Sequence, residues 1–111
     1  MHQDQRGLRF RFNADAEVRI VDSPTSFRGR VTEMSLRGCF LETPGSFTER
    51  QRLVVRIFNS AEYFESRADV IYVKPSGVGV LFAEMNPHFR VVLQKWILTA
   101  LDHQAEEVPA R

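Results

Sequence analysis

At Asn86-Pro87 the hydrophobic period of this chain changes from two to about 3.6. Everything upstream is short, apolar or alternating, and punctuated by turns. Everything downstream reads as one amphipathic helix. Strand-like patterning begins with Val18-Arg19-Ile20-Val21, after Ala16. It breaks at Asp22-Ser23-Pro24-Thr25-Ser26, whose Pro and Asx/Ser content marks a turn. Phe27 to Met34 alternates, with Phe27, Gly29, Val31 and Glu33 on one side and Arg28, Arg30, Thr32 and Met34 on the other. After a second break at Ser35 to Gly38 comes a short strand, Cys39 to Thr43, closed by Pro44-Gly45. Leu53 to Phe58 is β-branched and apolar. Asn59-Ser60 turns into Tyr63 to Val73. Lys74-Pro75-Ser76-Gly77 turns into Val78 to Phe82, where Gly79 signals a bend or a close backbone approach.

Asn86 then suits a helix cap and Pro87 the first helical position. Phe89, Val92, Leu93, Trp96, Ile97, Ala100 and Leu101 fall at the three-and-four spacing of one apolar face, with Arg90, Gln94 and Lys95 opposite. About six short strands followed by one helix predict a mainly β fold. The helix face needs a surface to cover, and the economical answer is a small barrel that it plugs. The length of 111 residues allows one domain, and excludes a core plus an effector domain. The expected organisation is a basic arm over residues 1–12, the barrel and helix over 13–102, and a frayed tail over 103–111.

Charge and cysteine usage narrow the function classes. The net charge is +1, so no global field attracts nucleic acid or membrane. The basic excess is local: Arg6, Arg9 and Arg11 face only Asp4 within the first twelve residues. The single cysteine, Cys39, precludes an internal disulfide, and a reducing, cytoplasmic setting is expected. The N-terminus is polar, and no run reaches the roughly 18 apolar residues of a membrane span, so no membrane insertion is expected. His2, His88 and His103 are scattered without metal-ligand spacing. No Ser/His/Asp, Cys/His or phosphate-loop arrangement is present, so neither catalysis nor a cofactor is expected.

What stands out instead is Glu33-Met34-Ser35-Leu36-Arg37-Gly38 downstream of Arg6-Gly7-Leu8-Arg9-Phe10-Arg11-Phe12. Together these resemble the two signatures of the PilZ domain, a bacterial receptor for cyclic di-GMP. Those signatures are Arg-x-x-x-Arg near the N-terminus and Asp/Asn-x-Ser-x-x-Gly at the start of a strand. Ser35 and Gly38 match the second, with Glu33 in place of Asp or Asn. Arg9 is favoured as the second arginine, because Phe10 then leads into the strand. Position 5 is then Gln5, and Arg6 falls one residue off. Gly77-Val78-Gly79-Val80-Leu81-Phe82 looks like the family's last strand. The resemblance spans roughly Arg6 to Leu101, and implies a six-stranded antiparallel barrel with a C-terminal α-helix.

It also implies a ligand set of Arg6, Arg9, Arg11, Glu33, Ser35 and Gly38 for cyclic di-GMP. The chemistry of these residue types agrees. An arginine fork meets guanine O6 and N7, or a phosphate, with two bonds, and its plane can stack. A carboxylate accepts from the guanine N1 and N2 hydrogens. Serine donates or accepts across a short gap, and glycine lets a base approach the backbone.

The implied function is a single-domain receptor that signals through ligand-dependent contacts with a protein effector. The alternative is a degenerate PilZ-like adaptor that binds protein and no nucleotide, for which the broken arginine spacing and Glu33 speak. A nucleic-acid-binding barrel stacking on Phe10 and Phe12 is a third reading, against which the near-zero charge counts. Blander roles compete at each position. The arginines could be edge-strand cations. Ser35 and Gly38 could serve turn geometry alone. Cys39 reads as a buried inert thiol, Trp96 as core, and Glu62, Glu65 and Asp69 as an acidic strand exterior.

Overall fold

A computed structural model describes residues 9–107. Six strands and one helix follow one another: β1 (Phe10–Ile20), β2 (Ser26–Met34), β3 (Gly38–Glu42), β4 (Arg52–Asn59), β5 (Glu62–Lys74), β6 (Gly77–Ala83) and α1 (Pro87–Glu107). All pairings are antiparallel, and the order β1-β2-β3-β6-β5-β4 closes on itself through β1 and β4. Closure leaves no edge strand to protect. The inward residues are those the alternation selects: Val18, Val31, Leu41, Leu53, Val55, Ile57, Phe64, Val70, Val78 and Val80 are fully or almost fully buried.

Two boundaries differ from the sequence expectation. β1 starts at Phe10, so it takes in residues 10–12 of the expected arm. Phe10 has a core to enter, being buried opposite Met34. Met1 to Leu8, including Arg6, lie outside the described residues. At the other end α1 continues through 103–107, where a frayed tail was expected.

The helix start follows the expected chemistry. The Asn86 side-chain oxygen accepts from the His88 amide at 2.8 Å, and Pro87 takes the first helical position. Trp96, Leu93, Val92 and Ile97 are buried against the barrel. Trp96 stacks on Phe12 at 5.6 Å and meets Phe64 at 6.4 Å, so α1 closes the barrel over its interior aromatic residues. Leu101, expected on this face, is 40% exposed. At 100° per residue it lies well off the Leu93–Trp96 direction. No helix among the described residues is long and apolar enough to cross a membrane.

Glu62 is more than strand exterior. Its Oε1 accepts from the Trp96 indole N–H at 3.0 Å, and its carboxylate also pairs with Lys95. The hydrogen bond from Lys95, then that from Trp96, holds the Glu62 carboxyl below the ordinary value of 4.5. A depressed carboxylate pKa stabilises the fold above the ordinary value, and that contribution is lost as pH falls through the lower folded-state value. Acidification below pH 4.5 is therefore expected to lower the Tm and shift the fluorescence of Trp96, the one tryptophan. Glu62→Gln should flatten that part of the pH dependence. A parent and variant with identical acid profiles would show that the tether does not contribute.

Candidate functional site

The turn between β2 and β3 is built by Ser35. Its amide donates to the Gly38 carbonyl at 2.9 Å. Its hydroxyl oxygen accepts from the amides of Arg37 at 3.1 Å and Gly38 at 3.2 Å, and donates to the Gly38 carbonyl at 3.3 Å. This is the local side-chain-to-backbone bonding that serine favours in turns. The Phe82 amide then donates to the Arg37 carbonyl at 2.7 Å, which ties the turn to β6. Ser35 is buried, so its hydroxyl is spent on the turn. Gly38 has no room for a side chain: a Cβ there would stand 2.0 Å from the Val80 carbonyl oxygen.

Beside this turn, one row of residues crosses five strands. Arg11 pairs with Glu33, Glu33 with Phe40, Phe40 with Gly79, and Gly79 with Tyr72. Directly opposed residues share a face, and this face is the outer one. Glu33 reaches it because β2 slips register between Val31 and Glu33, where Thr32 is the extra residue. A bulge reverses the alternation and re-aims the side chain. The strict alternation expected for Phe27 to Met34 places Glu33 with Val31, and the bulge overturns that placement. A second slip, between Val70 and Tyr72, turns Tyr72 outward in the same way.

Gly79 leaves the space this row needs. A Cβ on it would lie 2.3 Å from the Tyr72 ring. The close approach expected at Gly79 is thus that of an aromatic ring. Over the glycine, Tyr72 stacks with Phe40 at 6.2 Å between centroids and 22° between planes. Lys74 Nζ stands 5.4 Å from the Tyr72 centroid and 6.0 Å from that of Phe40. At the other end of the row, Arg9 Nη1 donates to Glu33 Oε1 at 3.3 Å. Two adjoining depressions share Arg9, Glu33, Phe40 and Tyr72. One is continued by Ser35, Gly38 and Gly79, the other by Arg11, Asn13, Lys74 and Ser76.

The structure therefore brings Arg9, Arg11, Glu33, Ser35 and Gly38 to one region, while Arg6 falls outside the described residues. Sequence reasoning missed Phe40, Tyr72 and Lys74. Gly79 was the available signal, since it marked a close approach without saying by what. Cys39 lines the same depression, but it is buried, and burial pushes its thiol up, so it offers no nucleophile.

A closed six-stranded antiparallel barrel, capped by a C-terminal helix and carrying cations, a carboxylate and stacked rings around a serine–glycine turn, defines a class of small helix-capped β-barrel domains. The chain belongs to the PilZ domain family, whose model matches residues 4–99. Among solved structures it is similar to the PilZ domain with cyclic di-GMP of YcgR from Escherichia coli. The TM-score is 0.76 at 17% identity, covering 96% of this chain and 100% of that one. It is also similar to the PilZ domain of CeSA from a cellulose-synthesizing bacterium, with a TM-score of 0.67 at 14% identity, covering 88% and 99%. The Bacillus subtilis inhibitor of motility, MotI/DgrA, aligns with a TM-score of 0.71 at 17% identity over 92% of this chain and 53% of that one. No curated protein sequence matches the chain.

Proposed function

We propose that this PilZ domain binds cyclic di-GMP on the outer face of the barrel, around the row Arg11–Glu33–Phe40–Gly79–Tyr72. The observation that carries the reading is the convergence of three chemistries on that face. Arg9, Arg11 and Lys74 supply cations, Glu33 an acceptor, and Phe40 and Tyr72 a stacked pair of rings. Cyclic di-GMP presents two phosphates and two guanines, which call for groups of these kinds. Cations meet phosphates or the guanine O6/N7 edge. The Glu33 carboxylate, one methylene longer than the Asp of the family motif, accepts from guanine N1 and N2. The aromatic pair gives a base a plane to stack on. Ser35 and Gly38 act by shaping the turn that positions Glu33. Arg6, which the family signature brings in, is assigned a phosphate by resemblance alone. That a PilZ domain of similar fold was solved with cyclic di-GMP supports the reading. Output passes to a protein effector through the surface that the bound ligand creates.

A second reading has its own observation: Arg9 is already paired with Glu33. A barrel whose cation is satisfied internally would serve as a protein adaptor without nucleotide. Isothermal titration with cyclic di-GMP, with GTP as control, separates the two. The receptor reading expects selective micromolar binding of the cyclic dinucleotide. No heat up to millimolar ligand, or equal binding of GTP, would transfer the conclusion to the adaptor.

A further inference from the structure

We propose that the outward face of α1 is an interface between two copies of this chain, packed antiparallel about a two-fold axis at Leu98. The barrel occupies one face of the helix through Val92, Leu93, Trp96 and Ile97. The opposite face is also apolar. Val91 and Leu98 are each 63% exposed and Leu101 is 40% exposed. Val91 and Leu98 lie two turns apart, and Leu101 follows on the same side. With Gln94 between them, the positions keep the alternating three-and-four spacing of a helix–helix seam. Isolated exposed apolar residues are ordinary on a surface. A series in this phase, on a helix whose other side is already buried, is the pattern of a helix with two packed faces.

The order of charges selects a second copy as the occupant. Along the helix sequence Arg90 and Lys95 precede Leu98, while Asp102 follows it. If Leu98 faces Leu98 in an antiparallel pair, facing position numbers sum to about 196 (98 + 98). Lys95 then faces Asp102 of the second copy, because both stand on the same flank of the seam. The pair recurs by symmetry, as in any isologous interface. A parallel pair would instead set Lys95 against Arg90 of the second copy, two like charges. Lys95 keeps its bond to Glu62 and is still 58% exposed, so it is available to both. A helix of 21 residues is about 31 Å long. One such pair gives an interface at the small end of the specific range, so the dimer should be weak and concentration-dependent. Nothing in this inference depends on nucleotide binding.

Sedimentation velocity of the full chain from low micromolar to millimolar concentration tests it. A shift from monomer to dimer is expected, and Leu98→Glu should weaken self-association at least tenfold. At low micromolar concentration, where the chain is monomeric, the melting curve of that variant should be unchanged, because the position is then exposed. Cysteine placement tests the geometry, since the one natural cysteine, Cys39, is buried. Leu98→Cys sits on the axis and should give a disulfide-linked dimer under mild oxidation with copper-phenanthroline. In Val91→Cys the two thiols would be about 14 residues apart along the helix axis, roughly 21 Å. That exceeds disulfide reach, so it should stay unlinked. Monomer throughout, unchanged association in Leu98→Glu, or linkage of Val91→Cys as readily as Leu98→Cys would each overturn the proposal.

Discussion

Gly38→Ala is expected to lower the Tm by on the order of 10 °C or more. The reason is what the added Cβ meets. It would stand 2.0 Å from the Val80 carbonyl oxygen, 3.0 Å from the Val80 carbonyl carbon and 3.2 Å from Leu81 Cα. These are backbone atoms of β6, and Gly38 is itself the ladder partner of Leu81. No rotamer change can make room, so relief requires opening the β3–β6 seam. Three hydrogen bonds of the Ser35 turn end on Gly38 and would be pulled with it. Overpacking of a tight site costs about 1–3 kcal/mol and sometimes more. Each kcal/mol moves the Tm of a domain of this size by roughly 4–8 °C. Ser35→Ala offers the comparison. It leaves the amides of Arg37 and Gly38 without their acceptor but introduces no clash, so its cost is that of unmet hydrogen bonds, about 1–3 kcal/mol. Thermal unfolding followed by circular dichroism measures both. Equal Tm values for Gly38→Ala and the parent would mean that the close β3–β6 approach is not maintained.

The architecture was legible because local chemistry and global fold agree. Asp22 to Ser26, Pro44-Gly45, Asn59-Ser60 and Lys74 to Gly77 all mark ends of strands, and Asn86-Pro87 starts the helix where the apolar period changes. The site was legible in part. Arg9, Arg11, Glu33, Ser35 and Gly38 stood out by type and order, but not their facing. Thr32 and Ile71 each put an extra residue into a strand, and an extra residue reverses inside and outside for everything beyond it. Alternation alone therefore put Glu33 on the core side and gave no reason to bring Tyr72 to Phe40. A charged residue in phase with buried Val31 is, in retrospect, the mark of such a bulge. Long-range partners were not legible at all. Glu62 and Trp96 are 34 residues apart, and only the closed barrel brings the indole N–H to that carboxylate. Leu101 shows the reverse error, an apolar residue assigned to the core that faces solvent.

The proposed receptor role makes its sharpest demand on Arg9 and Tyr72 together. Arg9→Ala removes one charge-assisted partner of the ligand, at about 1.5–3 kcal/mol. Tyr72→Ala removes half of the stacked pair, at about 1–3 kcal/mol for each base that it holds. Arg9 reaches the row through its bond to Glu33, and Phe40 and Gly79 lie between Glu33 and Tyr72. Arg9 and Tyr72 share no direct contact, so their effects should nearly add. The double variant is then expected to lose cyclic di-GMP affinity by about 10²- to 10⁴-fold. Arg9 also frees Glu33 when it is removed, and that sharpens the test. If the Arg9–Glu33 pair at 3.3 Å mainly obstructs the ligand, Arg9→Ala alone will leave affinity unchanged or improve it. If Arg9 changes partners, giving up Glu33 for phosphate while Glu33 turns to the guanine edge, Arg9→Ala will weaken binding and Glu33→Ala will weaken it further. Both positions are at least partly solvent-exposed and outside the core, so neither change should move the Tm as Gly38→Ala does. Titration calorimetry on the parent, the two single variants and the double, each checked by its melting curve, measures the cycle. Affinity that is indifferent to both residues would remove the row Arg11–Glu33–Phe40–Gly79–Tyr72 as the ligand's seat.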